Sequence, residues 1–361
     1  MNAYEVSGAD DHSVSLFGLG GTTPHERVTL VTDEKTGLRA IIAIHSTARG
    51  PAFGGCRYWS YGSDLAAMED ALRLSRGMSL KNSMADLPFG GGKAVILRGD
   101  RQHERKAMYQ AFGRAVQALA GSYITGEDVG TSVADMLSVR EVTPYAAGIP
   151  RENGFGGNPS PKTALGVFAA IERGALHVFG ARQLKGLRVA VQGLGAVGWA
   201  LAERLHRAGC KLVVADIDAN RSAAASRVFD ATVVAVDDIA AQDVDILAPC
   251  ALGATLDRHS IPALRARLVA GAANNQLATD ADGDALHQRG IAYLPDYLVN
   301  AGGIISCVRE YEGGFAESDV DAEVLRIADR VESLFLRARD TAEPLSRAAD
   351  QWALEKLAGV S

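Results

Sequence analysis

Lysine is scarce in this chain. Of its 37 basic residues only 8 are lysine, so arginine serves wherever a solvated positive charge is enough. Cysteine is scarcer still. Cys56, Cys210, Cys250 and Cys307 stand far apart with no paired spacing, which argues against a disulfide frame or a zinc site and fits reduced thiols in a cytoplasmic protein. The eight histidines show no metal-ligand spacing either. No apolar run approaches the roughly 18 to 20 residues that cross a bilayer, so no membrane partner is expected. The opening Met1-Asn2-Ala3-Tyr4-Glu5-Val6 lacks the basic segment and apolar core of a secretion signal. An excess of positive charge is missing too: the net charge of −6 argues against a nucleic-acid partner. What is present is 361 residues, 47% hydrophobic and 22% charged, an ordinary globular composition with length enough for two domains.

Against that scarcity, Lys81 in Gly77-Met78-Ser79-Leu80-Lys81-Asn82 and Lys93 in Pro88-Phe89-Gly90-Gly91-Gly92-Lys93 stand out. Arginine stays charged almost anywhere, whereas lysine can shed its proton when desolvated or set beside another cation. Gly90 to Gly92 read as a glycine-rich loop that lets backbone and ligand approach closely. A flexible surface turn carrying a solvated charge is the plainer alternative. It sits poorly with the apolar flanks and with the strand-like Ala94-Val95-Ile96-Leu97 that follows at once.

Four of the eleven prolines (Pro144, Pro150, Pro159, Pro161) fall between 144 and 161, among Gly148, Gly154, Gly156 and Gly157. That density of breakers predicts an interdomain crossing. Before it the pattern is mixed. Arg27 to Thr32, Leu38 to His45, Ala94 to Leu97 and Tyr123 to Thr125 read as strands. Helices are predicted after an N-cap at Asp64, carrying Leu65, Met68, Leu72 and Met78, and over Arg105 to Leu119. After the crossing, Ser160 and Pro161 read as the cap and first residue of a helix. Strands at Leu187 to Gln192, Lys211 to Asp216, Asp245 to Ala248, Leu268 to Ala272 and Ile291 to Leu294 then alternate with helices, which implies a parallel sheet covered on both faces. The last segment, Val320 to Leu357, is helical and has no strand of its own, so it is expected to pack back on the first domain.

Val189-Ala190-Val191-Gln192 runs into Gly193-Leu194-Gly195-Ala196-Val197-Gly198 and then into the helical Trp199 to Arg207. A lone GxGxxG is weak evidence, but here it joins a strand to a helix, as a dinucleotide fingerprint requires. Gly193 permits the tight turn, Gly195 the approach of the pyrophosphate, and Gly198 the helix–strand contact. The next strand ends in Asp216, about 20 residues on, where a carboxylate accepts from the adenosine ribose hydroxyls. Asp216 would repel a 2′-phosphate and no arginine follows it directly, so the cofactor reads as NAD rather than NADP.

With both features in view, the chain resembles the leucine/phenylalanine/valine dehydrogenase branch of the amino-acid dehydrogenases, relatives of glutamate dehydrogenase. The resemblance runs through Gly50-Pro51-Ala52-Phe53-Gly54-Gly55-Cys56-Arg57, Arg76 to Asn82, Gly90 to Lys93 and Tyr123-Ile124-Thr125-Gly126-Glu127-Asp128-Val129-Gly130. It continues through Gly157-Asn158-Pro159-Ser160-Pro161, the dinucleotide loop, Ala248-Pro249-Cys250-Ala251, Gly271 to Gln276, Pro295-Asp296-Tyr297 and Asn300-Ala301-Gly302-Gly303. It implies an α/β protein of two domains with the active site in the cleft between them. An N-terminal α/β substrate domain, residues 1–147 joined by a helical return over 331–361, would face a Rossmann-type domain over 148–330. The implied reaction is reversible oxidative deamination of an L-amino acid to a 2-oxo acid and ammonia with NAD. A homo-oligomer is also implied, since the family includes dimers and octamers.

Carried over by the resemblance, Lys81 would hold the substrate carboxylate, and Lys93 would polarise the developing carbonyl and handle the attacking water. Asp128 would be the proton-transfer partner, and Asn274 would orient substrate and nicotinamide. The chemistry agrees: hydride loss leaves a cationic iminium that a carboxylate stabilises, and its hydrolysis needs a base near neutrality. The charge of Lys81 is expected to favour a free amine at Lys93, since like charges oppose each other's protonation. For Asp128 the plainer reading is an N-cap of the helix near Val133 to Val139, though Ser132 could serve instead. Thr163, Cys250, Ala251 and Asn300 fall at positions near the cofactor, with a core-facing threonine the alternative for Thr163. Gly54, Gly55 and Met78 would contact substrate.

The side-chain pocket departs from the leucine enzymes at Phe53, Gly126 and Ile304, where those usually have leucine, alanine and valine. Gly126 and Ile304 look like the phenylalanine-preferring enzymes, whereas Phe53 adds bulk and the Gly-Asn-Pro-Ser-Pro segment is leucine-type. Branched-chain substrates are therefore expected first and aromatic ones as the alternative, with essentially none on glutamate. A 2-hydroxy-acid dehydrogenase would need a His/Arg pair that these motifs lack. A non-catalytic relative would have lost Lys81, Lys93 or Asp128.

Overall fold

The computed structural model describes residues 24–99, 104–150, 155–251 and 255–359. The opening hexapeptide and Gly154 of the crossing lie outside them. Two six-stranded sheets organise the chain. The first collects β1 (Arg27–Asp33), β2 (Leu38–Ser46), β3 (Ala52–Phe53) and β4 (Cys56–Trp59). It then takes in β5 (Gly90–Leu97) after helix α1 (Asp64–Met84), and β6 (Tyr123–Ile124) after α2 (Arg105–Ala118). Helix α3 (Val133–Arg140) follows. The order is β1-β2-β5-β3-β6, with β3 and β4 lying one after the other along the same edge of β5. β1 and β2 pair antiparallel with their neighbours, whereas β3, β4 and β6 run parallel. Strands of two to four residues such as β3 and β4 carry too little period-two pattern to be read from sequence.

Gly90, Gly91 and Gly92, expected as a loop, instead open β5, in the middle of the sheet. None of the three has a positive φ, so their purpose is not backbone freedom. A Cβ at Gly90 would collide with the Ser46 carbonyl, one at Gly91 with the Ser79 backbone of α1, and one at Gly92 would lie 2.7 Å from the Tyr123 ring. Three bare backbones let a helix, a strand and an aromatic ring close on one strand. Gly91 and Lys93 share a face of β5 by strand alternation, the face on which α1 lies. The cap of α1 also differs from expectation: Ser63 accepts from the Ala66 amide at 3.1 Å, and Asp64 is the first helical residue.

The second sheet begins after α4 (Ser160–Phe179), for which Pro159 rather than Ser160 is the N-cap. It holds β7 (Arg188–Gln192), β8 (Lys211–Ala215), β9 (Thr232–Val233), β10 (Ile246–Pro249), β11 (Leu268–Val269) and β12 (Ala292–Tyr293). α5 (Ala196–Arg207), α6 (Ala219–Phe229) and α7 (Asp280–Gln288) fall between these strands. Every pairing is parallel and the order is β12-β11-β10-β7-β8-β9. That is the doubly wound arrangement, whose ligand crevice lies at the carboxyl ends of the strands.

Five helices close the chain: α8 (Asp296–Val299), α9 (Gly302–Glu312), α10 (Glu317–Leu325), α11 (Ile327–Thr341) and α12 (Leu345–Leu357). α10 and α11 lie on α4, and α12 returns to α1. The return is tied at the end of α1, where Ser83 Oγ donates to the Ala353 carbonyl at 3.2 Å and Arg330 Nη2 to the Ala85 carbonyl at 2.9 Å. One apolar cluster runs from Phe53, Leu80 and Phe89 through Leu165 to Val191 and on to Leu334 and Ala349. The two sheets therefore share a continuous core behind the cleft.

Because Gly91 sits against the Ser79 backbone, Gly91→Ala is expected to force α1 off β5 and cost about 1–3 kcal/mol or more, the range of overpacked cores. Gly126→Ala is the control, since its Cβ would meet nothing nearer than the Ala147 carbonyl at 3.7 Å. Urea unfolding of both variants checks this; equal stabilities would show that the helix–strand approach has slack.

Candidate active site

The cleft between the two sheets holds a cavity of about 700 Å³. From the first unit its wall is made by Gly55, Met78, Lys81, Lys93 and Asp128; from the second by Thr163, Val197, Asn274, Asn300 and Ile304. The last turn of α1 presents Lys81, and the fourth residue of β5 presents Lys93.

Lys93 is 5% exposed, and its Nζ lies 3.2 Å from Asp128 Oδ1. Asp128 does not cap α3. Ser132 does, in a capping box with Asp135, which leaves the Asp128 carboxylate free for the cleft. Burial pushes that carboxyl toward its neutral form, but Lys93 and Arg57 outweigh it and hold it below the usual carboxylate range. Lys81 behaves differently. Burial, aided by the positive charge of Lys93, lowers its ammonium to about 8, against the opposing pull of Asp296. The Lys81 Nζ donates across the cleft to Asn274 Oδ1 at 3.1 Å. Asn300 Nδ2 donates to the same oxygen at 2.9 Å and to the Ala272 carbonyl at 3.1 Å. The remaining Asn300 Oδ1 is buried and has no partner among the described residues, an acceptor open to a bound donor.

The glycine loop fits a dinucleotide. Gly193 has φ +94, and a Cβ there would meet Ala251 at 2.9 Å. Gly198 is pressed on the Gly193 carbonyl, so a side chain would drive α5 from β7. Gly195, the N-cap of α5, has open space where its Cβ would be, the room a pyrophosphate needs. Asp216, at the end of β8, accepts from the Leu194 amide at 2.6 Å and the Asp218 amide at 2.8 Å. It also edges a second cavity of about 630 Å³, lined by Ile217, Ala219, Ser222 and Arg227. Arg227 is an arginine near Asp216 that the sequence does not place there, being 11 positions on. Leu194, Ala196, Cys250 and Ala251 lie around this loop without reaching the wall of the central cavity. Thr163 reaches it, with its hydroxyl donating to the Pro159 carbonyl at 3.1 Å.

Phe53, Gly54 and Gly126 stand behind the wall rather than on it. The Phe53 ring is 1% exposed and packs edge-on against Phe89 and Tyr311. Gly54 is pressed on the Gly92 carbonyl. Six residues with no assigned role bear on the site. Cys307 joins Ile304 on the wall, one helical turn along α9. Asp296 is half-buried, its carboxyl is raised by desolvation, and it accepts from the Asn275 amide at 2.8 Å. Arg57 and Asp70 form a chain leading to Asp128. Arg57 and Asp296 both belong to the motifs above, where a lone charge among small or apolar residues was the available signal. Arg73 and Arg76 also reach the wall from earlier turns of α1, and Arg73 pairs with Asp70.

A doubly wound sheet with a GxGxxG loop, facing a lysine–carboxylate pair across a cleft, defines a two-domain dinucleotide-dependent enzyme. Comparison with known proteins narrows it. Residues 25–145 match the family described as Glu/Leu/Phe/Val dehydrogenase, dimerisation domain. Residues 214–360 match Glutamate/Leucine/Phenylalanine/Valine dehydrogenase. Leucine dehydrogenase of Geobacillus stearothermophilus is 45% identical over 344 residues, covering 95% of this chain and 94% of that protein. Valine dehydrogenase of Streptomyces virginiae is 44% identical over 337 residues, 92% and 94% of the two chains. The crystal structure of L-tryptophan dehydrogenase from Nostoc punctiforme superposes with a TM-score of 0.80 at 39% identity, over 93% of this chain and 96% of that one. The chain belongs to the Glu/Leu/Phe/Val dehydrogenase family, in its leucine/valine branch.

Because Asp296 raises the Lys81 ammonium against burial, Asp296→Asn is expected to move its titration below about 8. NMR titration of the Lys81 side chain, assigned with Lys81→Arg, measures this. An upward shift would contradict the electrostatics described.

Proposed function

We propose that this protein catalyses the reversible, NAD-dependent oxidative deamination of apolar L-amino acids, leucine and its branched-chain relatives first, to the 2-oxo acid and ammonia. The observation that carries this reading is the Lys93–Asp128 ion pair at 3.2 Å in a cleft whose opposite wall belongs to the dinucleotide unit. Residues 1–147 with 331–361 would be the substrate domain and 148–330 the NAD domain, in a homo-oligomer working in the cytoplasm.

The ammonium of Lys81 pairs with the substrate carboxylate, taking over from the Asn274 contact. Asn274, released from Lys81, is placed to accept from the substrate amine while Asn300 still holds it. NAD, when bound, would supply the acceptor for the hydride of Cα. The chain's own groups then govern protons. Asp128, ionised by its two cationic neighbours, faces the iminium charge and stabilises it. Lys93, its ammonium proton first released to solvent, takes a proton from the water that attacks the iminium carbon and passes it through Asp128 to the nitrogen; as the C–N bond breaks and ammonia leaves, the hydroxyl left on that carbon gives its proton to Lys93. Lys93, protonated, donates to the carbonyl oxygen that forms. Asn300 Oδ1, unpartnered, suits the carboxamide of the nicotinamide, with Thr163 beside it. The carboxylate of Asp216, held by two amides, favours ribose hydroxyls over a 2′-phosphate, even with Arg227 close by.

Met78, Ile304 and Cys307 supply the apolar wall for the substrate side chain. An aromatic-preferring enzyme is the second reading, supported by the size of the cavity. Pocket changes of a methylene are worth only about 1–3 kcal/mol, so preference among apolar substrates is a matter of degree.

Lys93→Ala is expected to lower kcat by about 10² to 10⁴-fold, the usual size of a lost acid–base group. Lys81→Ala should chiefly raise KM for the 2-oxo acid, since it removes the partner of the carboxylate. Steady-state rates of both variants at saturating ammonia and cofactor decide this; near-parental kcat in Lys93→Ala would overturn the assignment.

A further inference from the structure

The ion pair at the centre of the cleft has a third member that does not face it. Arg57 Nε donates to Asp128 Oδ2 at 2.9 Å, whereas Lys93 Nζ lies on Oδ1 at 3.2 Å. Each carboxylate oxygen thus has its own cation. The other end of the guanidinium is also held: Arg57 Nη1 donates to Asp70 Oδ2 at 2.9 Å, and the Tyr61 hydroxyl donates to the same oxygen at 2.6 Å. Asp70 takes a further bond from Arg73 at 3.2 Å. We propose that Arg57 is a positioning residue for the Lys93–Asp128 pair: braced by Asp70 and Tyr61, it fixes which oxygen of Asp128 meets Lys93 and supplies that carboxylate with a permanent counter-charge. This rests on the deamination reading, in which Asp128 moves protons.

The arrangement suits positioning better than general stability. Arg57 is absent from the cavity wall, so it reaches the chemistry only through Asp128. A carboxylate free to turn about its Cβ–Cγ bond would offer Lys93 either oxygen. A guanidinium held at two points removes that freedom, because its planar fork sets the direction of each N–H. The backbone of the loop is pinned independently, by the Cys56 amide on the Gly126 carbonyl at 2.8 Å and the Tyr58 amide on the Val129 carbonyl at 3.0 Å. The Asp128 amide in turn donates to Thr131 Oγ at 2.8 Å. Removing the guanidinium therefore leaves the loop in register and frees the side chain alone.

The charges that face Asp128 come from three elements: Lys93 from β5, Arg57 from β4 and, at longer range, Lys81 from α1. The Cys56 thiol and Tyr123 hydroxyl nearby are pushed well up by burial and stay neutral. Of the three cations only Arg57 cannot give up its proton. Loss of Arg57 removes the one permanent charge of the three, so the carboxylate should hold its own proton more tightly.

The test uses Arg57→Gln and Arg57→Lys in the full chain, beside the parent, with a 2-oxo acid, ammonia and NADH. Arg57→Gln is expected to lower kcat by about 10- to 100-fold, the cost of small misplacement at a reacting centre. KM for the 2-oxo acid should change little, and the acid limb of the kcat profile should move up by about 1 pH unit. Arg57→Lys should return the limb toward its parental place, because the charge is restored, with kcat only partly recovered, because one ammonium cannot span Asp70 and Asp128. Carbon-13 titration of the Asp128 carboxyl in the ligand-free chain should rise in Arg57→Gln. If Arg57→Gln does not fold, Asp70→Asn carries the test, with kcat lowered and the acid limb moved slightly down, since an anion is lost. An unchanged kcat in these variants overturns the proposal. So does a loss of kcat that tracks thermal stability while the pH profile and carboxyl titration stay put. A parent chain that turns over no 2-oxo acid would instead refute the deamination reading, and the carboxyl titration would still decide what Arg57 does to Asp128.

Discussion

Everything at the cleft depends on how closely α1 lies against β5. The approach is set by Gly91, which leaves room for the Ser79 backbone, and by its neighbours Gly90 and Gly92, which admit Ser46 and the Tyr123 ring. With the helix this near, the last turn of α1 and the fourth residue of β5 present their lysines to one cavity. A Cβ at any of the three would push an element away, and at Gly91 that element is α1, which carries Lys81. The return of α12 onto α1 and the shared core beneath hold the helix in that place.

Putting several charges into such a site is costly unless each has a partner, because desolvation of an ion outweighs a loose attraction. The chain answers with alternation. Asp70, Arg57, Asp128 and Lys93 follow one another, opposite sign to opposite sign, with contacts of 2.9, 2.9 and 3.2 Å. Lys81 stands outside that chain, with neutral Asn274 for its direct contact, and it is the amine that burial lowers to about 8. The two lysines thus differ in partner: one is bound to a carboxylate, the other is free for an incoming one.

Much of this was legible in the sequence. The parallel sheet followed from continuous apolar strands alternating with helices. The dinucleotide loop followed from a fingerprint placed between a strand and a helix. Lys81 and Lys93 drew notice because the chain otherwise prefers arginine. The rest turned on contacts between distant segments. A run of three glycines looks the same whether it loosens a loop or lets a helix close on a strand, and only Ser79, 12 residues earlier, tells them apart. Phe53 and Gly126, expected at the pocket, lie behind it, since a two-residue strand such as β3 gives no sign of which face it shows. Arg57 and Asp296 were visible as lone charges within motifs, but their partners, Asp128 and Lys81, are 71 and 215 positions away.

The central claim is that this cleft deaminates apolar amino acids with NAD. It is tested most directly by initial rates of NADH oxidation with a panel of 2-oxo acids, in the presence and absence of ammonia. The account predicts rates that need ammonia, are highest with branched-chain 2-oxo acids, extend to aromatic ones, are minimal with 2-oxoglutarate, and fall sharply when NADPH replaces NADH. Oxidation independent of ammonia, or 2-oxoglutarate as the best substrate, would contradict it.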